Sequence, residues 1–159
     1  MTVKRIVVPL DFSDLSPDLV DYATGLAKCF GAKLFLLNII QISQVAEMFG
    51  DIEGGIPALA EPEVMHQIKT SAQKQMDKLK KQVESKGVEV ESAVITGVHF
   101  MEIAQFAEDK KADLIVIGSH GRSGWQRFVL GSVAEKVARR SSIPVLIYKP
   151  KPPRDHGKN

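Results

Sequence analysis

Apolar and polar positions along this chain switch between two periods. Arg5–Leu10 reads RIVVPL, a continuous apolar run of the kind a strand covered on both faces needs. The stretch SPDLVDYATGLAKCFGA follows and puts Leu19, Val20, Ala23, Leu26, Ala27 and Phe30 on one helical face. Its punctuation agrees: Ser16 suits the cap, Pro17 the first turn, Asp18 the positive end of the dipole and Gly31 the stop. Lys33–Ile40, KLFLLNII, is a second buried strand. From about Glu63 to Lys86, Val64, Ile68, Ala72, Met76, Leu79 and Val83 recur every three or four residues opposite a lysine- and glutamine-rich face, and Gly87 ends this helix. VEVESAVI then alternates at first, as a strand near a sheet edge does. Gly97 precedes HFMEIAQFAEDKKA, a helix with Met101, Ile103, Ala104, Phe106 and Ala107 turned inward. DLIVIG (Asp113–Gly118) carries the strongest burial signal of all; SVAEKVARRS (Ser132–Ser141) is a short last helix, and Pro144 starts the last strand, PVLIYK.

Five strands alternate with four helices, which predicts an α/β fold: an open parallel sheet with right-handed crossovers and helices on both faces, a three-layer α/β/α sandwich. Periodicity lapses from Gln41 to Pro62, and a connection of that length in a compact domain tends to be functional or mobile. It could cover a ligand as a lid or turn Met48 and Phe49 toward a partner subunit; the residues do not choose. Residues 1–150 read as a single domain, with no linker or internal repeat, and the proline-rich, charged KPPRDHGKN (151–159) as a tail that frays.

Composition narrows the classes. A length of 159 residues suits one domain, and 21 basic against 19 acidic side chains is too even a balance to make nucleic acid the main partner. The apolar run near the start is too short for a signal peptide or a membrane span. A single cysteine, Cys29, cannot form an internal disulfide, so a reducing compartment, the cytoplasm, is expected. Cys29 itself reads as a small buried hydrophobe on the apolar side of the first helix.

The chemistry concentrates in GSHGRSGWQRFVLGS, which leaves the end of DLIVI. In an open parallel sheet, ligands lie beyond the carboxyl ends of the strands, where the strand order reverses. Gly118, Gly121 and Gly131 lack a Cβ, so backbone can approach an anion, and Ser132 opens a helix whose first N–H groups favour phosphate. The task suited to such a stretch is cradling an anion, not breaking a bond. Neither G-x-x-x-x-G-K-[ST] nor a G-x-G-x-x-G after the first strand is present, and glycines alone would also serve a plain strand-to-helix connection.

The spacing is more telling. Gly118, two residues, Gly121, nine residues, then Gly131-Ser132 form G-2x-G-9x-G-[ST]. This resembles the ATP-binding motif of the universal stress protein family in its nucleotide-binding branch. KRIVVPLDFSDLS is similar to that family's first strand and turn, LFLLNII to its second strand, and ADLIVIGSHGRSGWQRFVLGSVAEKVARRSSIPVLIYKP to its C-terminal signature. The Gln41–Pro62 loop and the last nine residues are not covered. The resemblance implies a Rossmann-like sheet, akin to the adenine nucleotide alpha hydrolases, with strand order 3-2-1-4-5, the nucleotide between strands one and four, and homodimers paired through the last strand, here Val145–Tyr148.

It also implies residue roles. Pro9, Leu10 and Asp11 would hold the adenosine, with Asp11 accepting from ribose or base; Asp11 reads equally as the cap of the turn DFSDLS. Ile39 would pack against adenine, a role compatible with the core, and Ile117 and Gly118 would touch ligand at the end of the fourth strand. Gly121, Gly131 and Ser132, with the Val133 amide, would hold phosphates, while Ser132 could also cap its helix. His120 reads as a loop residue near ligand, since His66, His99 and His156 show no metal-ligand spacing with it. Arg122 and Arg127 either reach phosphate or stay solvated, and Trp125 and Phe128 pack the loop or a partner, with adenine stacking as the alternative. The expected ligand is ATP, or AMP or ADP, with Mg2+ held by phosphates and water.

Three functions compete. The first is an ATP-binding stress or regulatory switch. The second is an ATPase or nucleotidyl hydrolase, expected to be slow at most because no base stands out and no lysine lies in the loop. The third is a dimeric interaction module without nucleotide, against which the intact glycine spacing argues.

Overall fold

The structure, a computed structural model, describes residues 2–43, 62–119 and 130–149. Their elements are β1 (Arg5–Leu10), α1 (Ser16–Phe30), β2 (Lys33–Ile40), α2 (Pro62–Ser85), β3 (Val90–Thr96), α3 (His99–Asp109), β4 (Leu114–Gly118), α4 (Ser132–Arg140) and β5 (Val145–Tyr148). All strand pairs are parallel, and the sheet order is β3-β2-β1-β4-β5. The expected α/β sandwich and its strand order are therefore both present.

Alternation within the strands builds two cores, one on each face. Ile6, Val8 and Leu10 of β1, Leu34 and Leu36 of β2 and Val116 of β4 pack with Leu19, Val20, Ala23 and Ala27 of α1 and Met76 and Val83 of α2. Val7, Phe35, Leu37, Ile39, Ile115 and Ile117 point the other way, onto Ile103 and Ala107 of α3 and Ala134 and Val137 of α4. A period-2 strand with both faces covered must be apolar at every position, which is why β1 and β2 carry no polar alternation.

Helix ends follow their sequence signals in part. Gly31 adopts φ +62°, and its N–H and that of Ala32 close back onto the last turn of α1. Gly87 does the same for α2 at φ +74°. Ser16 does not cap α1: it is the first helical residue, Leu15 is the cap, and the Ser16 hydroxyl donates to Asp11 Oδ1 at 3.3 Å. Three inward assignments are also corrected. Phe30 is 44% exposed at the end of α1, Cys29 beside it is exposed, and Met101 in the first turn of α3 is 58% exposed. Cys29 and Met101 each stand two positions, about 200° of helix, from a buried residue, Ala27 and Ile103, which turns them to the outer face, and Phe30 is the last residue of α1.

Leu36 is fully buried in a strand flanked on both sides, and Leu36→Ala should cost about 2–5 kcal/mol in denaturant unfolding. Met101→Ala, at an exposed position, should stay within about 0.5 kcal/mol of wild type.

Candidate functional site

The site begins where two central strands part. Arg5 C=O accepts the Asp113 N–H on the β4 side, and Lys4 C=O accepts the Lys33 N–H on the β2 side. Alternation along the strand therefore turns Val7 and Pro9 toward β4. Pro9 has no N–H to give that ladder. Pairing between β1 and β4 accordingly runs through Ile6 and Val7 and stops, while β1 stays paired with β2 as far as Leu10 opposite Asn38. A crevice opens at the carboxyl ends of β1 and β4, the point where strand order reverses.

The floor of this crevice is held from several sides. Leu10 C=O, which by the same alternation faces β2, accepts from the buried Asn38 amide at 2.8 Å. Asp11 Oδ1 accepts the Ser13 N–H at 3.0 Å as well as the Ser16 hydroxyl, so the turn-capping role of Asp11 is real and uses that oxygen. Phe12 follows in the left-handed region at φ 57°, a conformation that costs a non-glycine residue about 1 kcal/mol or more and clusters at functional turns. On the far wall, Ser119 N–H donates to Tyr148 C=O at 2.8 Å, and Ser119 C=O accepts the Gly131 N–H at 2.8 Å. These two bonds tie the end of β4 to the end of β5 and the start of α4. The segment between Ser119 and Gly131 is thus an excursion whose two ends are stitched together.

Gly131 is the N-cap of α4, and Ser132 is its first residue, not its cap. The Gly131 amide is committed to Ser119, which removes it from the donors offered to a phosphate. Glu135 N–H is the first to bond back, to Gly131 C=O, so the amides of Ser132, Val133 and Ala134 have no partner within the helix. Ser132 is exposed and Val133 half-buried. Pro9, Leu10, Ile39 and Ile117 are buried, with Asp11 and Gly118 half-buried at the strand ends. The described candidates thus gather at the carboxyl edge of β1, β2 and β4 and the opening of α4. His120, Gly121 and Arg122 lie outside the described residues, as do Trp125, Arg127, Phe128, most of the Gln41–Pro62 loop and the tail.

The structure adds a residue that its sequence context did not single out. His99, the first residue of α3, is half-buried at the carboxyl edge of the sheet, just after β3. Its Nδ1 lies 2.8 Å from Gln41 Oε1, and its backbone N–H points to the same oxygen at 3.4 Å. Burial holds the imidazole below its ordinary pKa, while the Asp11 carboxylate and the Ile39 backbone carbonyl pull it the other way. Only its position, just after β3 and hence at the carboxyl edge, hinted at this in the sequence. Among the described residues no three His, Cys, Asp or Glu side chains gather as a metal cage, and no helix is long and apolar enough to cross a membrane.

The model of the universal stress protein family matches residues 2–149. The chain belongs to the universal stress protein family. It is 37% identical over 147 residues to universal stress protein MJ0531 of Methanocaldococcus jannaschii, covering 92% of this chain and 82% of that one. Universal stress protein MJ0577 of the same organism is 29% identical over 155 residues, 93% of this chain and 96% of the relative. A solved structure of MJ0577 superposes with a TM-score of 0.79 at 28% identity, over 95% of this chain and 99% of that one. A universal stress protein crystallised in complex with cAMP gives 0.63 at 26% identity, over 93% and 98%.

The placement of His99 in this universal stress protein has a measurable consequence. Its folded pKa lies below the unfolded value of about 6.5, so below that pH the unfolded chain binds the proton more readily. Stability should fall as pH drops from 7.5 to 5.5, and the slope should be shallower in His99→Gln when urea midpoints are compared at both pH values.

Proposed function

We propose that this universal stress protein belongs to the nucleotide-binding branch and holds an adenine nucleotide, ATP or its ADP and AMP relatives, in the crevice between β1 and β4. The observation that carries this reading is the stitched loop: the Gly131–Ser119 bond brings the first amides of α4 to the end of β4, across from Asp11. Adenosine would lie against Pro9, Leu10, Asp11, Ile39, Ile117 and Gly118. The phosphates would meet the Ser132 and Val133 amides and the Ser132 hydroxyl, with Gly121, His120 and Arg122 completing the loop side. An helix opening suits this, because its unpaired N–H groups and partial positive charge both favour phosphate oxygen. The G-2x-G-9x-G-S spacing supports it from the sequence, and the cAMP complex of a structurally similar family member supports an adenine nucleotide as the ligand class.

Bound nucleotide would act as a signal, setting conformation or partner choice, with hydrolysis slow at most. A magnesium ion would arrive with a triphosphate, held by phosphate oxygens and water. A homodimer through β5 is part of the proposal: β5 is the sheet edge, its four residues are only half-buried, and an edge of VLIY left open invites pairing. The cytoplasm is the proposed site of action.

Isothermal titration of the purified protein with ATP and magnesium tests the reading. Saturable binding is expected, weakened on the order of tenfold or more by Gly121→Val or Asp11→Ala, a loss of about 1.4 kcal/mol per factor of ten. Absence of binding at millimolar ATP would overturn it.

A further inference from the structure

Three cations follow the opening of α4, and they are not held alike. Arg139 Nη1 pairs with Glu135 Oε1 of the same helix at 3.4 Å. The ion pairs among the described residues include neither Lys136 nor Arg140. Both instead lie over the ring of Phe100, with Lys136 Nζ 5.4 Å and Arg140 Cζ 4.8 Å from its centroid. Their heights on the helix differ. Lys136 follows Ser132 by four residues and so shares its face one turn on, whereas Arg140 is a turn further away. Helical side chains lean back toward the N-terminus, so the Lys136 stem covers the turn that Ser132 opens.

Packing fixes where this ring stands. α3 packs on β2, α4 on β5, and the two helices on each other. In the sheet, β1 and β4 lie between β2 and β5. The groove between α3 and α4 therefore follows the boundary of β1 and β4, the pair that parts at its carboxyl end. Phe100 is the second residue of α3 and packs, like Val133 of α4, onto the core of this face, so its ring marks the carboxyl-edge mouth of the groove. The acidic side chains of the two first turns are engaged elsewhere: Glu102 lies over Gly97, and Glu135 pairs with Arg139. An ammonium thus stands one turn from Ser132 with an aromatic ring as its partner, and a ring holds an ammonium less firmly than charged phosphate oxygen does.

We propose that Lys136 is a specificity-determining residue that reads the length of the phosphate chain, its ammonium leaving the Phe100 ring to meet the outer phosphates of a triphosphate. The inference rests on the adenine-nucleotide reading and sharpens it: ATP is preferred to AMP, and Lys136 supplies much of the preference. The Ser132 and Val133 amides are fixed main-chain donors that suit any phosphate. A lysine one turn on adds a full charge on a flexible stem, and its pull grows with the phosphate charge within reach. A monophosphate ends at its first phosphate and brings less charge to that turn. Arg140, a turn further down, stays on the ring.

The test titrates the full chain with ATP and with AMP, without magnesium so that the triphosphate keeps its full charge. Lys136 is exposed, so its variants keep the fold. Lys136→Gln should weaken ATP on the order of tenfold and AMP by less than about threefold, while Lys136→Arg should hold ATP affinity within about threefold of wild type. An ATP-to-AMP ratio that is the same in wild type and Lys136→Gln, with ATP bound by both, overturns this inference and leaves the nucleotide reading standing. Failure of wild type to bind either nucleotide overturns both. Proton–carbon NMR of the lysine Cε groups reads the same point in the wild-type chain, with the Lys136 signal assigned by its loss in Lys136→Gln. Ring current from Phe100 should displace that signal in the free protein, and ATP, but not AMP, should remove the displacement. A signal that ATP leaves in place, or that both nucleotides move equally, contradicts the proposal.

Discussion

Everything at this site depends on a hydrogen bond that cannot form. Pro9 faces β4 from the middle of a five-stranded parallel sheet and has no N–H for the ladder. Proline is ordinarily kept out of central strands, because each missing donor strands an acceptor on the neighbour. Here the vacancy falls at the last turn of the ladder, where β1 and β4 can separate without loss elsewhere. Val7 and Ile115 keep the two strands together below, and the sheet opens above them. A strand-order reversal supplies the place for a crevice; Pro9 fixes the residue at which it starts.

Once the strands part, the exposed polar groups need partners, and the surrounding elements supply them. Ser13 and Ser16 hold Asp11, Ser119 links β5 and α4, Gln41 holds both the backbone and the ring of His99, and on the β2 side the Asn38 amide adds a bond to the Leu10 carbonyl. Most of these bonds join residues far apart in sequence. Among the described residues, these bonds hold the strand ends from several elements at once, which favours discrimination by hydrogen-bond pattern. Ions behave differently at the opposite edge of the sheet. There Lys33 bridges Glu89 and Glu91, and Lys110 reaches Glu91, a network that joins charges to each other in solvent.

The layer order and the two cores were legible because the strands are apolar at every position and the helices are apolar on one face only. Those periods survive without knowledge of partners. The helix ends were less legible: Phe30 continues the apolar stripe into the last residue of α1, where it is exposed, while Cys29 and Met101 are apolar residues about 200° of helix from buried Ala27 and Ile103, so residue type pointed inward where helical phase points out. Ser16 and Ser132 have the side chains of caps, yet neighbouring residues take the cap positions, because Asp11 claims the hydroxyl of one and Gly131 closes onto Ser119 ahead of the other. Asp11 and Ser132 could be nominated from a motif, whereas His99 could not. Its partner Gln41 is 58 positions away, and only folding brings the two together.

The central claim is that adenine nucleotide occupies the crevice at the carboxyl edge of β1 and β4. Amide chemical-shift mapping of the labelled protein during an ATP titration tests it most directly. The account predicts saturating shifts at Asp11, Ile39, Gly118, Ser132 and Val133, with Lys33, Glu89 and Lys110 at the amino edge unmoved. Shifts concentrated at that amino edge, or none at saturating nucleotide, would contradict it.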